Sequence, residues 1–217
     1  MREPVKGKTE AGRRREARAH ETRRRIIEAG LRLFIEQGYT ATTVQQLAHA
    51  ADVAPATVYQ AFGTKQAILS AALDVAIAGD DAPLAVVERD WVSDARREQD
   101  HRRRLQLIVE GACRIAARTA ALKEVIRDAA ATEPRARDLV RQDHERRYRT
   151  QEYLVDLLLD HRSLRPGIDR RRAVDTFFAL VNSATYDLLV KQRGWTINDW
   201  QDWIVDLIER ECFEPTD

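Results

Sequence analysis

The sequence predicts an all-α fold: a small three-helix helix-turn-helix unit near the N-terminus, then a larger helical domain. Three observations carry this. Ala, Leu, Arg and Glu abound, and only nine glycines and six prolines interrupt 217 residues, a composition that favours helix. Apolar residues recur at helical spacing, with no long alternating run of the kind a strand needs. Apolar types make up 44% of the chain, enough to fold, yet no run reaches the length of a membrane span.

Residues 1–21 are polar and basic with few apolar anchors, and read as a mobile arm. Residues 1–25 hold ten Arg or Lys against four Glu. That segment therefore carries about +6 and the remainder about −5, although the whole chain is +1. A basic end on an acidic body is an electrostatic footprint for a polyanion; a solvated tail is the alternative. From Thr22, the spacing of Ile26, Ile27, Leu31 and Phe34 predicts a helix, which Gly38 ends as a left-handed cap. Thr43 with Gln46 three residues on is a capping box that starts a second helix. Leu47, Ala48, Ala51, Val53 and Val58 are spaced to form a small core between that helix and the next. Asp52 falls in the turn, and Pro55 suits the first position of the third helix. Gly63-Thr64 breaks the chain, with Thr64 able to cap a fourth helix from Lys65 to about Ile77.

Gly79 to Pro83 reads as a loop. Further helices are predicted near 84–97, 101–120, 121–131, 134–160, 169–191 and 198–212, with Arg165-Pro166-Gly167 separating the two longest. The stretch 169–191 is apolar over much of its circumference, which suggests a core face plus a subunit interface.

The pair of short helices between Thr42 and Phe62 carries the chemistry. The second would expose Thr57, Tyr59 and Gln60, and such a helix fits the major groove of DNA. The Tyr59 hydroxyl suits a phosphate. Lys65 opens a helix, where the macrodipole disfavours a cation unless an anion docks there; a solvated lysine is the alternative.

The run IIEAGLRLFIEQGYTATTVQQLAHAADVAPATVYQAFGTKQAIL makes residues 22–69 resemble the DNA-binding domain of the tetracycline-repressor (TetR) family. The spacing from Phe34 through Gly38-Tyr39, Thr43-Val44, Val53, Thr57, Tyr59, Phe62 and Lys65 to Leu69 matches without gaps. A weaker similarity, YDLLVKQRGWTINDWQDWI over 186–204, resembles a tail whose helices form a dimer bundle. The resemblance implies a ligand-responsive regulator, usually a repressor, that binds a double-stranded, pseudo-palindromic operator as a homodimer. Arg13 to Arg15, Arg18 and Arg23 to Arg25 fit an arm that enters a minor groove or tracks phosphates, with surface residues the alternative for Arg23 to Arg25, which open a helix; the resemblance implies DNA contacts from Thr43, Gln45, Pro55, Ala56, Thr57, Tyr59, Gln60 and Lys65. It also implies dimerisation through the helices near 169–191 and 198–212, and a pocket for a small-molecule effector within residues 70–217. Trp91, Cys113, His144, Tyr148 and Asn182 are candidates to line that pocket; satisfied core or interface residues are the alternative, with a buried, reduced thiol for Cys113 and a solvent-facing ring for His144. Two residues depart from the pattern: Asp52 stands where Gly is common, and Ala54 replaces the usual Ser or Thr cap of the third helix. An architectural DNA-binding protein without an effector is the alternative.

An enzyme is not expected. There is no Gly-rich phosphate loop, no HExxH and no nucleophile elbow. The histidines at 20, 49, 101, 144 and 161 are scattered, and Cys113 and Cys212 make neither a metal cluster nor a disulfide framework. No cofactor or metal is expected. Trp195, Trp200 and Trp203 are assigned to packing. With no apolar signal region, the expected location is the cytoplasm.

Overall fold

The computed structural model describes residues 9–79 and 85–215. The expectations for residues 1–8 of the arm and 80–83 of the loop fall outside them. The chain divides into two units, Met1–Ala72 and Leu73–Asp217.

The first unit opens with α1 (Glu10–Gln37), so residues 10–21 are the start of a long helix rather than a mobile arm. Local chemistry accounts for the difference. The Thr9 hydroxyl caps the helix by accepting from the Gly12 N–H at 3.3 Å. Arg14 pairs with Glu10 at 2.7 Å, a favourable i,i+4 spacing, and Arg and Ala are good helix formers. At the other end Gly38, with φ of 83°, donates its N–H to Phe34 O at 3.0 Å. The short α2 (Val44–Ala50) and α3 (Pro55–Phe62) follow, and then α4 (Lys65–Ala78). Leu47, Ala48, Ala51 and Val58 are buried with Ile26, Ile27 and Phe34 of α1 and Ile68 and Leu69 of α4, while Val53 is half-buried. Each such Leu, Ile or Phe contributes about 1.5–3 kcal/mol. Gly30 lets α1 and α4 close on each other, since a Cβ there would lie 2.7 Å from Ile68 Cγ2.

The second unit takes in the end of α4 from Leu73, then a 3-10 turn, Val86–Glu88, and α5 (Asp90–Arg97). The expected helix 84–97 is interrupted because Arg89 is extended. Next come α6 (His101–Thr132), α7 (Pro134–Leu159), α8 (Arg170–Leu180), α9 (Ser183–Tyr186), a π-helical stretch Asp187–Gln192, and α10 (Ile197–Cys212). Its core joins Leu105, Ile108 and Val109 of α6 to Leu154 and Leu158 of α7, Val174 and Phe177 of α8, and Trp200, Ile204 and Ile208 of α10.

Two further expected helices take other bounds. The separate helices 101–120 and 121–131 are one, because Leu122 and Ile126 continue the buried stripe and no capping residue or breaker stands between them. The expected helix 169–191 divides after Leu180. Asn182 is extended, and its side chain accepts from the Ala184 and Thr185 N–H groups at 2.7 and 2.9 Å, a local cap that competes with helix continuation. The carbonyls released by the break are taken up by Arg147, which donates to Phe178 O at 3.1 Å and Val181 O at 3.0 Å.

Among the described residues no single helix is long and apolar enough to cross a membrane. None of them form a group of three or more His, Cys, Asp or Glu side chains able to hold a metal ion.

Candidate nucleic-acid interface and helical cavity

The helix-turn-helix is fixed from three sides. Thr43 and Gln46 form the expected capping box. The Gln46 N–H donates to Thr43 Oγ1 at 3.2 Å, and the Thr43 N–H donates to Gln46 Oε1 at 2.8 Å. Asp52 holds the turn with φ of 51°. Arg25 braces it from α1, donating to Asp52 O at 3.1 Å and Oδ2 at 3.0 Å. Pro55 sits in the first turn of α3, and Ala54 gives no side-chain cap. Arg23 reaches across to Ala61 O at 2.9 Å, its guanidinium 4.0 Å from the Phe62 ring centroid. Arg24 pairs with Glu21 at 2.7 Å and also with Glu28. Arg23 and Arg25 therefore act as clamps on the motif, and Arg24 stays on the surface of α1.

The outward face carries Thr43, Gln45, Pro55, Ala56 and Gln60, all exposed, with Thr57 half-buried. Tyr59 is 54% exposed, a large aromatic left in water on the helix expected to read DNA. Lys65 differs from the expectation of a phosphate contact. Its ammonium donates to Tyr39 O at 2.7 Å and Thr42 O at 2.8 Å and lies 4.1 Å from the Tyr39 ring centroid. It ties the start of α4 to the loop between α1 and α2, so it supports the motif from within. The Thr64 hydroxyl accepts from the Ala67 N–H at 3.1 Å, capping α4 as expected. On α1, Arg13, Arg15 and Arg18 are exposed. Arg14, Arg18 and Arg25 recur at i, i+4 and i+11, the spacing of one helix face.

The second unit contains a cavity of about 430 Å³, within the range of small-molecule sites. Its apolar wall includes Ile77, Trp91, Ile115, Ala116, Leu154 and Val181. Trp91 lies flat against α6 because residue 111 is glycine: a Cβ there would be 2.3 Å from the indole. The α4 part of the wall is tied down twice. Arg118 donates to Ala76 O at 2.6 Å and Ile77 O at 2.7 Å, and Arg146 pairs with Asp74 at 2.7 Å. A cation at carbonyls of the last helical turn also complements the helix dipole. Lys123 and Asp143 form an enclosed ion pair at 2.8 Å, and burial lowers the lysine's pKa despite that partner. Burial likewise lowers Arg147 to about 10, still far above neutrality, so it stays charged.

Of the five pocket candidates, Trp91 and Asn182 line the cavity. Cys113 does not; it is fully buried in the core, and burial pushes its thiol pKa up. His144 and Tyr148 stack edge-on against Phe178 at 6.0 and 5.4 Å, and the Tyr148 hydroxyl donates to Asp175 at 2.9 Å. Their position on α7 turns them to α8 instead of to the cavity. The residue missed in the sequence is Gln151. It is 3% exposed and lines the cavity, and it falls one helical turn before Leu154 and Val155 on the apolar stripe of α7. A polar residue on a buried stripe was the available signal.

Residues 26–72 match the family model for bacterial regulatory proteins of the tetR family. The helix-turn-helix transcriptional regulator TcmR of Streptomyces glaucescens is 39% identical over 74 residues, which are 34% of this chain and 31% of TcmR. The chain spans between 21% and 58% of the length of the curated relatives it matches. Among solved structures, a transcriptional regulator from Saccharomonospora viridis in complex with choline superposes with a TM-score of 0.67 at 22% identity, over 90% of this chain and all of that one. FadR of Bacillus subtilis in complex with stearoyl-CoA gives 0.67 at 17% identity, over 85% of this chain and 96% of that one. At these identities the likeness is one of fold.

Proposed function

With its residues 26–72 belonging to the TetR family of bacterial regulatory proteins, we propose that this chain is an effector-responsive transcriptional repressor that binds a pseudo-palindromic operator as a homodimer. Thr43, Gln45, Pro55, Ala56, Thr57, Tyr59 and Gln60 form the DNA face. Gln60 and Gln45 read base edges, adenine being the base a glutamine amide meets with two hydrogen bonds. Tyr59 and the α1 arginines hold phosphates, which set affinity and register but not sequence.

The observation that carries the effector reading is the placement of α4. Its first residue braces the helix-turn-helix through Tyr39 and Thr42, while Asp74, Ile77 and Ala78 near its end line the cavity. A ligand that favours one position of α4 shifts the population of operator-binding dimers. By linkage, operator weakens ligand binding by the same factor. The solved relatives that hold choline and stearoyl-CoA support a cavity of this kind.

The dimer reading rests on apolar surface in the last elements. Leu188 and Ile197 are 51% and 45% exposed, and Trp195 and Trp203 beside them are half-buried, with ring centroids 6.0 Å apart. Sedimentation of the protein alone and with an operator duplex tests it. A dimer that Leu188→Glu converts to monomer, with loss of operator binding, is expected; a wild-type monomer bound one to one would overturn it.

A further inference from the structure

The guanidinium of Arg147 is fixed along one edge and open along the other. Nη1 donates to both carbonyls of the α8 break, Phe178 O at 3.1 Å and Val181 O at 3.0 Å. The Phe178 ring covers one face, its centroid 3.6 Å from Cζ. The remaining edge, Nε and Nη2, still has its N–H donors, which meet no acceptor among the described residues. Asp143, one turn earlier on α7, is held by Lys123 at 2.8 Å. Neither nitrogen of the open edge is sealed from solvent, and Arg147 lines the cavity. Nε and Nη2 side by side form the fork of donors that matches the two oxygens of a carboxylate. Two carbonyls and a ring set the orientation of that fork before any ligand arrives, which lowers the ordering cost of binding. Trp91, Ile115 and Leu154 give the same cavity an apolar wall.

We propose that the effector is an amphipathic carboxylate, its two oxygens accepting from Arg147 Nε and Nη2 and its apolar body lying along Trp91, Ile115 and Leu154. This rests on the reading of the cavity as the effector site. A carboxylate fills both arms of the fork. A neutral amide of the same shape offers one oxygen and turns its own N–H groups toward the second donor, so the fork tells the two apart.

Equilibrium dialysis of the full chain at neutral pH against biphenyl-4-carboxylate and biphenyl-4-carboxamide tests this. Wild-type protein should bind the carboxylate about tenfold more tightly, the worth of one charge-assisted hydrogen bond. Arg147→Lys keeps the positive charge and loses the fork, and its preference should shrink to about threefold or less. Arg149→Gln removes another cation of the lining and leaves the fork in place, so its preference should stay near that of wild type. Circular dichroism and carboxamide binding check the fold and the cavity of each variant. Wild-type protein gives a readout free of substitution: the Arg147 Nε–H resonance should move downfield with the carboxylate and stay in place with the carboxamide. Equal binding of the two probes by wild type, an unmoved resonance, or a preference undiminished in Arg147→Lys would overturn the proposal and leave the effector cavity standing. A preference lost equally in Arg149→Gln would trace it to the general positive field and overturn the fork. If neither probe binds wild-type protein, the cavity is not a site for ligands of this class, and the effector reading falls with the proposal.

Discussion

Replacing Lys65 with Met keeps the aliphatic stem and removes the ammonium, and its consequence follows from the contacts. Two charge-assisted bonds are lost, to Tyr39 O at 2.7 Å and Thr42 O at 2.8 Å, together with the approach to the Tyr39 ring. A hydrogen bond to a charged group contributes about 1.5–3 kcal/mol, and an exposed cation–π contact about 0.5–1 kcal/mol. Lys65 is only half-buried, so water recovers part of this when the carbonyls are released. The net loss should be about 2 kcal/mol, which multiplies the opening equilibrium of α2 and α3 roughly thirtyfold. Native-state hydrogen exchange of the α2 and α3 amides reads that number. Operator binding measured across salt concentrations supplies the contrast. A bracing lysine leaves the slope unchanged, whereas a phosphate contact removes about one unit from it. Unchanged exchange together with a slope lowered by one would refute the internal role and restore the phosphate contact read from the sequence.

Three further outcomes are expected. Gly111→Ala would place a Cβ 2.3 Å from the Trp91 ring; overpacking of about 1–3 kcal/mol exceeds the helix gain of up to about 1 kcal/mol, so urea unfolding should show a net loss, and a gain would contradict the packing of Trp91 on α6. Gln60→Ala should relax preference at one base position in each half-site of selected DNA while leaving the salt slope alone; an unaltered consensus would remove Gln60 from the readout. His101 is packed edge-on against Phe213 with neither ring nitrogen hydrogen-bonded, and burial first, then Arg162, hold its pKa below the usual value. The unfolded histidine takes its proton near pH ~6.5 and the folded one only at lower pH, so its contribution is complete above that value and is lost as pH falls below it. His101→Phe should therefore flatten the acid side of the stability profile, and an unaltered profile would contradict the burial account.

The helix-turn-helix was legible because its determinants are local. Thr43 with Gln46, Asp52 in the turn, Pro55 at the start of α3 and Gly38 at the end of α1 each act within a few residues, and each takes the expected conformation. The errors arose where distant contacts or local competition decide. Residues 10–21 carry too few apolar positions to betray a helix, yet Thr9 and the Glu10–Arg14 pair start one. The break at Asn182 was hidden by the apolar run around it; it needs both the asparagine cap and Arg147, distant in sequence, to satisfy the carbonyls. Aromatic or polar residues on apolar stretches mark pocket candidates in a sequence, but that pattern does not say which neighbour a face meets. His144 and Tyr148 meet Phe178 of α8, while Gln151, one turn further on, faces the cavity. The arginines of α1 show the same limit: their charge was plain in the sequence, but only the fold separates Arg23 and Arg25, which clamp the motif, from Arg15 and Arg18, which stay exposed.

The central claim is sequence-specific DNA binding by a two-fold dimer through the exposed face of α3. The most direct test is selection from random duplexes at ~150 mM salt, sequencing the DNA retained by the purified protein. The account predicts a palindromic consensus with half-sites about one helical turn or more apart, and its loss when Gln60 and Tyr59 are both replaced by Ala. Retention of DNA with no consensus, or a consensus indifferent to those two residues, would contradict it.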